Sequence, residues 1–132
     1  MKSILRAGLA IGLLMVVGCR PSPLSVPPDA VRALARAKVL MASGLFDRAI
    51  AECNRAIEVA PNYALAYNDR GLAHTKRARL RVAIADFDRA IQLDPTLAVA
   101  YFNRGLAYAK AGRQAEADED FAQAKRLGYQ GK

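Results

Sequence analysis

Tryptophan is absent, histidine occurs once, and aromatic residues make up 7% of the chain. Hydrophobic residues still reach 53%, much of it alanine. Such small side chains favour close-packed helices over a sheet sandwich. Serine and histidine fall in no nucleophile motif, and no glycine-rich phosphate loop is written anywhere. No His, Cys, Asp or Glu cluster has metal-ligand spacing. The reading is therefore not an enzyme, with no cofactor, no metal and no small-molecule substrate. Long apolar runs are also missing. The longest, Ala7 to Val17, is about half the roughly 20 residues a membrane span needs. Acidic residues are outnumbered, and the net charge is +8. Such an excess favours anionic lipid, nucleic acid or acidic protein.

The short apolar run follows Lys2 and Arg6, which is the layout of an export signal. It closes on Val16-Val17-Gly18-Cys19. That tetrad resembles the lipobox of bacterial lipoproteins. The resemblance implies that Cys19 takes a diacylglyceryl group through its thiol and that a peptidase cuts after Gly18. Residues 1–18 are then a signal peptide, and removal of Lys2 and Arg6 leaves a charge of +6. Arg20 stands where an aspartate often retains such proteins at the inner membrane. By the same resemblance the chain belongs on the periplasmic face of the outer membrane. An exported chain has little access to nucleic acid, which is set aside as a partner. With Cys19 lipidated, the remaining cysteine, Cys53, has no partner for an intrachain disulfide. Residues 19–29 are rich in proline, which forbids a helix. They read either as a stiff polyproline tether or as a disordered spacer.

Written in rows of 34, the rest of the chain falls into columns: rows 30–63, 64–97 and 98–131. Ala49, Ala83 and Ala117 align, as do Ala56, Ala90 and Ala124. Tyr67 and Tyr101 align, as do Gly71 and Gly105, Pro61 and Pro95, and Gly44 and Gly112. On these residues the chain resembles the tetratricopeptide repeat family over residues 30–131. The first row is degenerate, with Ala33 in place of the early tyrosine and Ala37 in place of the glycine. The resemblance implies an all-α, right-handed superhelical solenoid of three antiparallel helical hairpins.

Each row also holds two amphipathic stretches. Helices are expected near 30–43, 47–59, 64–77, 81–93, 98–111 and 115–127. Asp29, Asn62 and Thr96 are the expected N-caps. Gly44 and Gly112 mark the turns inside hairpins, and Pro61 and Pro95 separate one hairpin from the next. Ala78 occupies the turn glycine's column in the middle repeat, where a positive φ would cost about 1 kcal/mol. Gly128 fits a helix C-cap. Ile50 and Ile84 share a column with Asp118, and Ile57 and Ile91 share one with Lys125. Val82 likewise becomes Glu116. The last repeat is thus expected to present a solvated face where a fourth repeat would pack.

Arg36, Arg70 and Arg104 form one column, and Glu52, Asp86 and Asp120 another. The pairing predicts a structural ladder of ion pairs between helices. His74 and Cys53 sit in packing columns and read as structural residues. The basic turn Lys76 to Arg81 is a solvated loop or a contact for anionic lipid or an acidic protein.

In the family the first helix of each repeat lines a concave groove. Carried over by column, the groove residues are Val31, Leu34 and Lys38; Leu65, Asn68, Asp69 and Leu72; and Val99, Phe102, Asn103 and Leu106. The lysines and arginines with which some members hold a C-terminal carboxylate are replaced here by Leu34, Asp69, Val99 and Asn103. The function expected is a membrane-anchored adaptor or assembly factor that binds a peptide or helix from a protein partner. The other reading is a structural subunit packed, or self-associated as a homo-oligomer, in an envelope assembly.

Overall fold

A computed structural model describes residues 25–131. The expected signal peptide, Cys19 and most of the proline-rich segment lie outside the described residues. Six helices follow one another: α1 (Pro28–Ala42), α2 (Phe46–Val59), α3 (Ala64–Lys76), α4 (Leu80–Leu93), α5 (Ala98–Lys110) and α6 (Gln114–Arg126). Each end lies within two residues of the sequence expectation. No strand occurs among the described residues. None of the six helices is long and apolar enough to cross a membrane.

The alanine columns explain how the helices pair. Ala49, Ala83 and Ala117 are wholly buried, and so are Ala66, Ala73, Ala100 and Ala107. A methyl group on each facing surface lets two backbones approach to the close end of helix packing. At two crossings even a methyl is excessive. A Cβ on Gly71 would stand 2.8 Å from the Phe87 ring, and one on Gly105 would stand 2.7 Å from the Phe121 ring. The large ring therefore pays for its volume with a glycine on the opposing helix.

The turns inside hairpins repeat one geometry. Gly44 has φ 72°, Ala78 has φ 58° and Gly112 has φ 77°. In each, two N–H groups close back on the ending helix. Leu45 N–H donates to Leu40 O at 2.9 Å, and Arg79 N–H and Arg113 N–H donate to His74 O and Tyr108 O at the same length. This is the Schellman arrangement, which requires a left-handed residue. Ala78 adopts that conformation despite its Cβ. Gly128, with φ 90°, repeats the motif at the end of α6.

The helix starts depart from the sequence reading. Asn62 and Thr96 are not the N-caps; Tyr63 and Leu97 are, and Pro27 rather than Asp29 precedes α1. None of the three makes a side-chain cap hydrogen bond. The reason lies in the connecting turn. Thr96 gives both its hydroxyl (2.6 Å) and its N–H (3.0 Å) to the Asp94 carboxylate, so it closes the turn and not the helix. Across the same turns, the Tyr67 and Tyr101 hydroxyls donate to Pro61 O and Pro95 O at 2.9 and 3.0 Å. Each early tyrosine thereby ties its hairpin to the one before.

Between hairpins, α1 touches α3 and α3 touches α5, while α2, α4 and α6 make no such contact with one another. The first helices thus crowd onto the inner side of a curved stack. The isoleucines expected under a following repeat, Ile50, Ile57, Ile84 and Ile91, are half-buried, and Asp118 and Lys125 are exposed. The far end is not wholly polar, however. Cys53 and Phe87 are fully buried in their repeats, but Phe121 is only half-buried. Phe102 stacks on Tyr129 with centroids 4.4 Å apart and meets Phe121 at 5.5 Å. The residues after Gly128 fold back as a partial lid over the surface.

Candidate partner-binding surface

The inner side built by α1, α3 and α5 carries the residues expected to line a groove. The structure divides them into two sets. Val31, Lys38 and Leu106 are exposed. Leu72 and Val99 are half-buried. Leu34, in contrast, is 2% exposed and belongs to the core of the first hairpin. Leu65 packs against that same core, and Phe102 lies under Tyr129. These three placements correct the sequence reading, which put them on an open surface. Leu34, Asn68 and Phe102 share one column, and consecutive first helices meet through it. Leu34 and Asn68 are covered by the next hairpin, and Phe102, in the last hairpin, by Tyr129.

Asn68, Asp69 and Asn103 are also buried, and they are joined. Asn103 Nδ2 donates to Asn68 Oδ1 at 3.1 Å, and Asn68 Nδ2 donates to Asp69 Oδ1 at 3.0 Å. Lys38 Nζ stands 3.9 Å from Asp69 Oδ2, which accepts no hydrogen bond among the described residues. A polar chain therefore runs from α1 through α3 to α5 beneath the inner surface. Burial raises the Asp69 pKa above the ordinary carboxylate range, and the hydrogen bond from Asn68 and the charge of Lys38 oppose that rise.

The arginine ladder has two rungs in place of three. Arg70 grips Asp86 through Nε and Nη2 at 2.9 and 2.7 Å, and Arg104 grips Asp120 through the same atoms at 2.7 Å each. Each guanidinium also reaches the preceding hairpin, Arg70 to Asn54 at 2.9 Å and Arg104 to Asp88 at 2.8 Å. Arg36 makes no such pair with Glu52. The longer glutamate turns along its own helix to Arg55 at 3.3 Å, and the described residues offer no earlier hairpin to hold Arg36.

The remaining candidates read as structure. Cys53 is a buried free thiol whose pKa is pushed up to about 12, chiefly by burial and then by Asp69. It stays protonated and packs as an apolar group. His74 is half-buried, and burial lowers its pKa. In the basic turn, Arg77 and Arg79 meet Asp47 of the preceding hairpin at 3.2 and 3.5 Å. Sequence reasoning missed this acid, which lies at no repeated column of the ladder. No group of metal-ligating side chains forms among the described residues.

Family models agree with this geometry. One described as tetratricopeptide repeat matches residues 33–63 and 98–127, and one described as TPR repeat matches residues 79–112. Together they take in more than half of the chain. The chain belongs to the tetratricopeptide repeat family. The match at 79–112 begins before α4 and ends after α5, so it takes the 34-residue unit in a shifted phase.

Solved tetratricopeptide repeat structures superpose well. The second TPR of Spaghetti (RPAP3), bound to the HSP90 peptide SRMEEVD, is 29% identical with a TM-score of 0.73, over 76% of this chain and 93% of that one. The TPR2B domain of yeast Sti1, in a pHsp70 complex, is 27% identical with a TM-score of 0.73, over 75% and 79%. The Arabidopsis OM64 TPR domain shares the fold at 24% identity, with a TM-score of 0.75 over 79% and 86%. No curated protein matches the chain.

Proposed function

We propose that this tetratricopeptide repeat protein is a lipid-anchored adaptor or assembly factor of a bacterial envelope, which binds a peptide or helix of a protein partner on its inner surface. The observation that carries the reading is the inner surface itself. Val31, Lys38 and Leu106 stay exposed there, above a buried polar chain that joins α3 to α5. Apolar side chains over a rigid, hydrogen-bonded floor suit a segment that brings both apolar contacts and backbone polar groups. Similar domains in Spaghetti and yeast Sti1 were solved with HSP90 and pHsp70 ligands, which supports a protein ligand as the class.

The ligand differs from a free peptide C-terminus. Asp69 puts a carboxylate in the register where a carboxylate-holding surface needs donors. A terminal carboxylate there would meet like charge in a poorly hydrated place, at a cost. An internal segment that offers N–H donors fits better.

The anchor rests on Val16-Val17-Gly18-Cys19 and Arg20, and the outer membrane is its proposed site. Growth with labelled palmitate tests it. The native chain should take up label and fractionate with membranes, and Cys19→Ser should do neither. Label in the variant would sink the anchor. Sedimentation of the purified protein separates an adaptor from a fixed subunit: a monomer supports the former, and a constant oligomer the latter.

A further inference from the structure

The first hairpin differs from the other two at one place that the inner surface does not explain. Tyr67 and Tyr101 are half-buried on the side of their hairpins that faces the preceding one, and their hydroxyls donate to the connecting turn. Their rings lie beside guanidinium groups. Arg70 stands 5.4 Å and Arg89 5.9 Å from the Tyr67 centroid, and Arg104 stands 5.6 Å from that of Tyr101. In the first hairpin the tyrosine's column holds Ala33. The matching arginines are nonetheless present. Arg36 matches Arg70, and Arg55 matches Arg89. Between them lies an open-sided cavity of about 450 Å³, lined by Ala33, Arg36, Glu52 and Arg55 among others.

The lining is unfinished as well as empty of a ring. Arg36 makes no ion pair, and Glu52 Oε2 is buried without a hydrogen bond among the described residues. Arg32, Arg36 and Arg55 are balanced by Asp29, Glu52 and Glu58 around the cavity, so neither an anion nor a cation is called for. A neutral planar ring between two guanidinium groups is the occupant the middle hairpin displays in Tyr67, and such contacts are favourable.

We propose that this cavity receives a tyrosine side chain presented by a partner protein, its ring beside Arg36 and Arg55 in the manner of Tyr67. The phenol is preferred to a plain phenyl ring. The Tyr67 and Tyr101 hydroxyls donate to Pro61 O and Pro95 O, six residues before them, and Pro27 O holds the matching place before Ala33, where it also accepts from the Ala30 and Val31 N–H groups. The chain's own leading segment is not the source, because residues 1–24 contain no aromatic residue. This surface lies at the first hairpin and is separate from the inner surface, so either assignment can fail alone.

The test uses the full chain with labelled arginine side chains and N-acetyltyrosinamide as the probe, followed by NMR. Arg36 and Arg55 Nε–H signals should shift saturably at millimolar probe, and N-acetylleucinamide should leave them in place. Ala33→Tyr fills the cavity from within, should raise the melting temperature, and should abolish the shifts. Arg36→Gln, at an exposed and unpaired position, should keep the melting temperature and weaken the Arg55 shift several-fold. Equal response to the leucine probe, unchanged response in Arg36→Gln, or no saturable shift would overturn the proposal. Concentration-dependent shifts without probe would assign the cavity to a second copy of the chain and overturn it equally.

Discussion

Gly71 touches Phe87 so closely that an added Cβ would stand 2.8 Å from ring atom Cε1. Phe87 is wholly buried and has nowhere to move. Gly71→Ala should therefore destabilise the protein by about 2 kcal/mol, the usual scale of overpacking. Gly105→Ala meets the half-buried Phe121, whose ring can yield toward the open end, and the Ala117 carbonyl oxygen at 3.2 Å, and should cost somewhat less. Thermal unfolding followed by circular dichroism ranks the two. Equal losses would mean that Tyr129 holds Phe121 as firmly as a full neighbouring repeat would.

Ala78 adopts a φ of 58° where the other two hairpins use glycine. Ala78→Gly should stabilise by roughly 1 kcal/mol by relieving the Cβ, against a small loss from added freedom in the unfolded chain. Gly44→Ala should destabilise by a similar amount, although nothing lies within 4 Å of the added Cβ. Urea denaturation reads both. A neutral Gly44→Ala would show that backbone strain is relaxed in the turn.

Asp69 has a folded-state pKa raised by burial. Above the unfolded pKa the free chain ionises while the folded one resists, so the folded state is penalised as pH rises through that window. Below the unfolded pKa both states are protonated and the penalty vanishes. Asp69→Asn keeps an acceptor for Asn68 and carries no charge. It should therefore stabilise at neutral pH, and its advantage should shrink as pH falls into the acid range. Denaturant midpoints for both proteins across pH test this. A destabilised variant at neutral pH would show that the pair with Lys38 outweighs the desolvation.

Arg104 holds the buried Asp120 with two hydrogen bonds and reaches Asp88 besides. Arg104→Ala would leave that carboxylate buried and alone, at a cost of about 3 kcal/mol. Arg36→Ala, at the same column, breaks no ion pair among the described residues and should cost little. Comparison of the two melting temperatures decides whether the column works as a ladder or as separate rungs.

The period of 34 made the hairpins and their glycine turns readable from sequence, because each follows from side-chain size or backbone φ. Contacts decided by the neighbour were not readable. Leu34 and Val31 both look apolar on the first helix, yet the former is sealed by the next hairpin and the latter is exposed. Thr96 looks like an N-cap but is claimed by Asp94 two residues earlier. Arg36 fits its column, but the extra methylene of Glu52 carries the acid to Arg55. Such competition among near neighbours leaves no periodic trace.

Site-specific photo-crosslinking tests the adaptor reading most directly. A crosslinking residue at Leu106 or Val31, on the inner surface, should yield one discrete protein adduct in membranes of living cells. The same residue at Val82, exposed on α4, should yield none. Adducts from Val82 alone, or none from either inner position, would contradict binding on the inner surface.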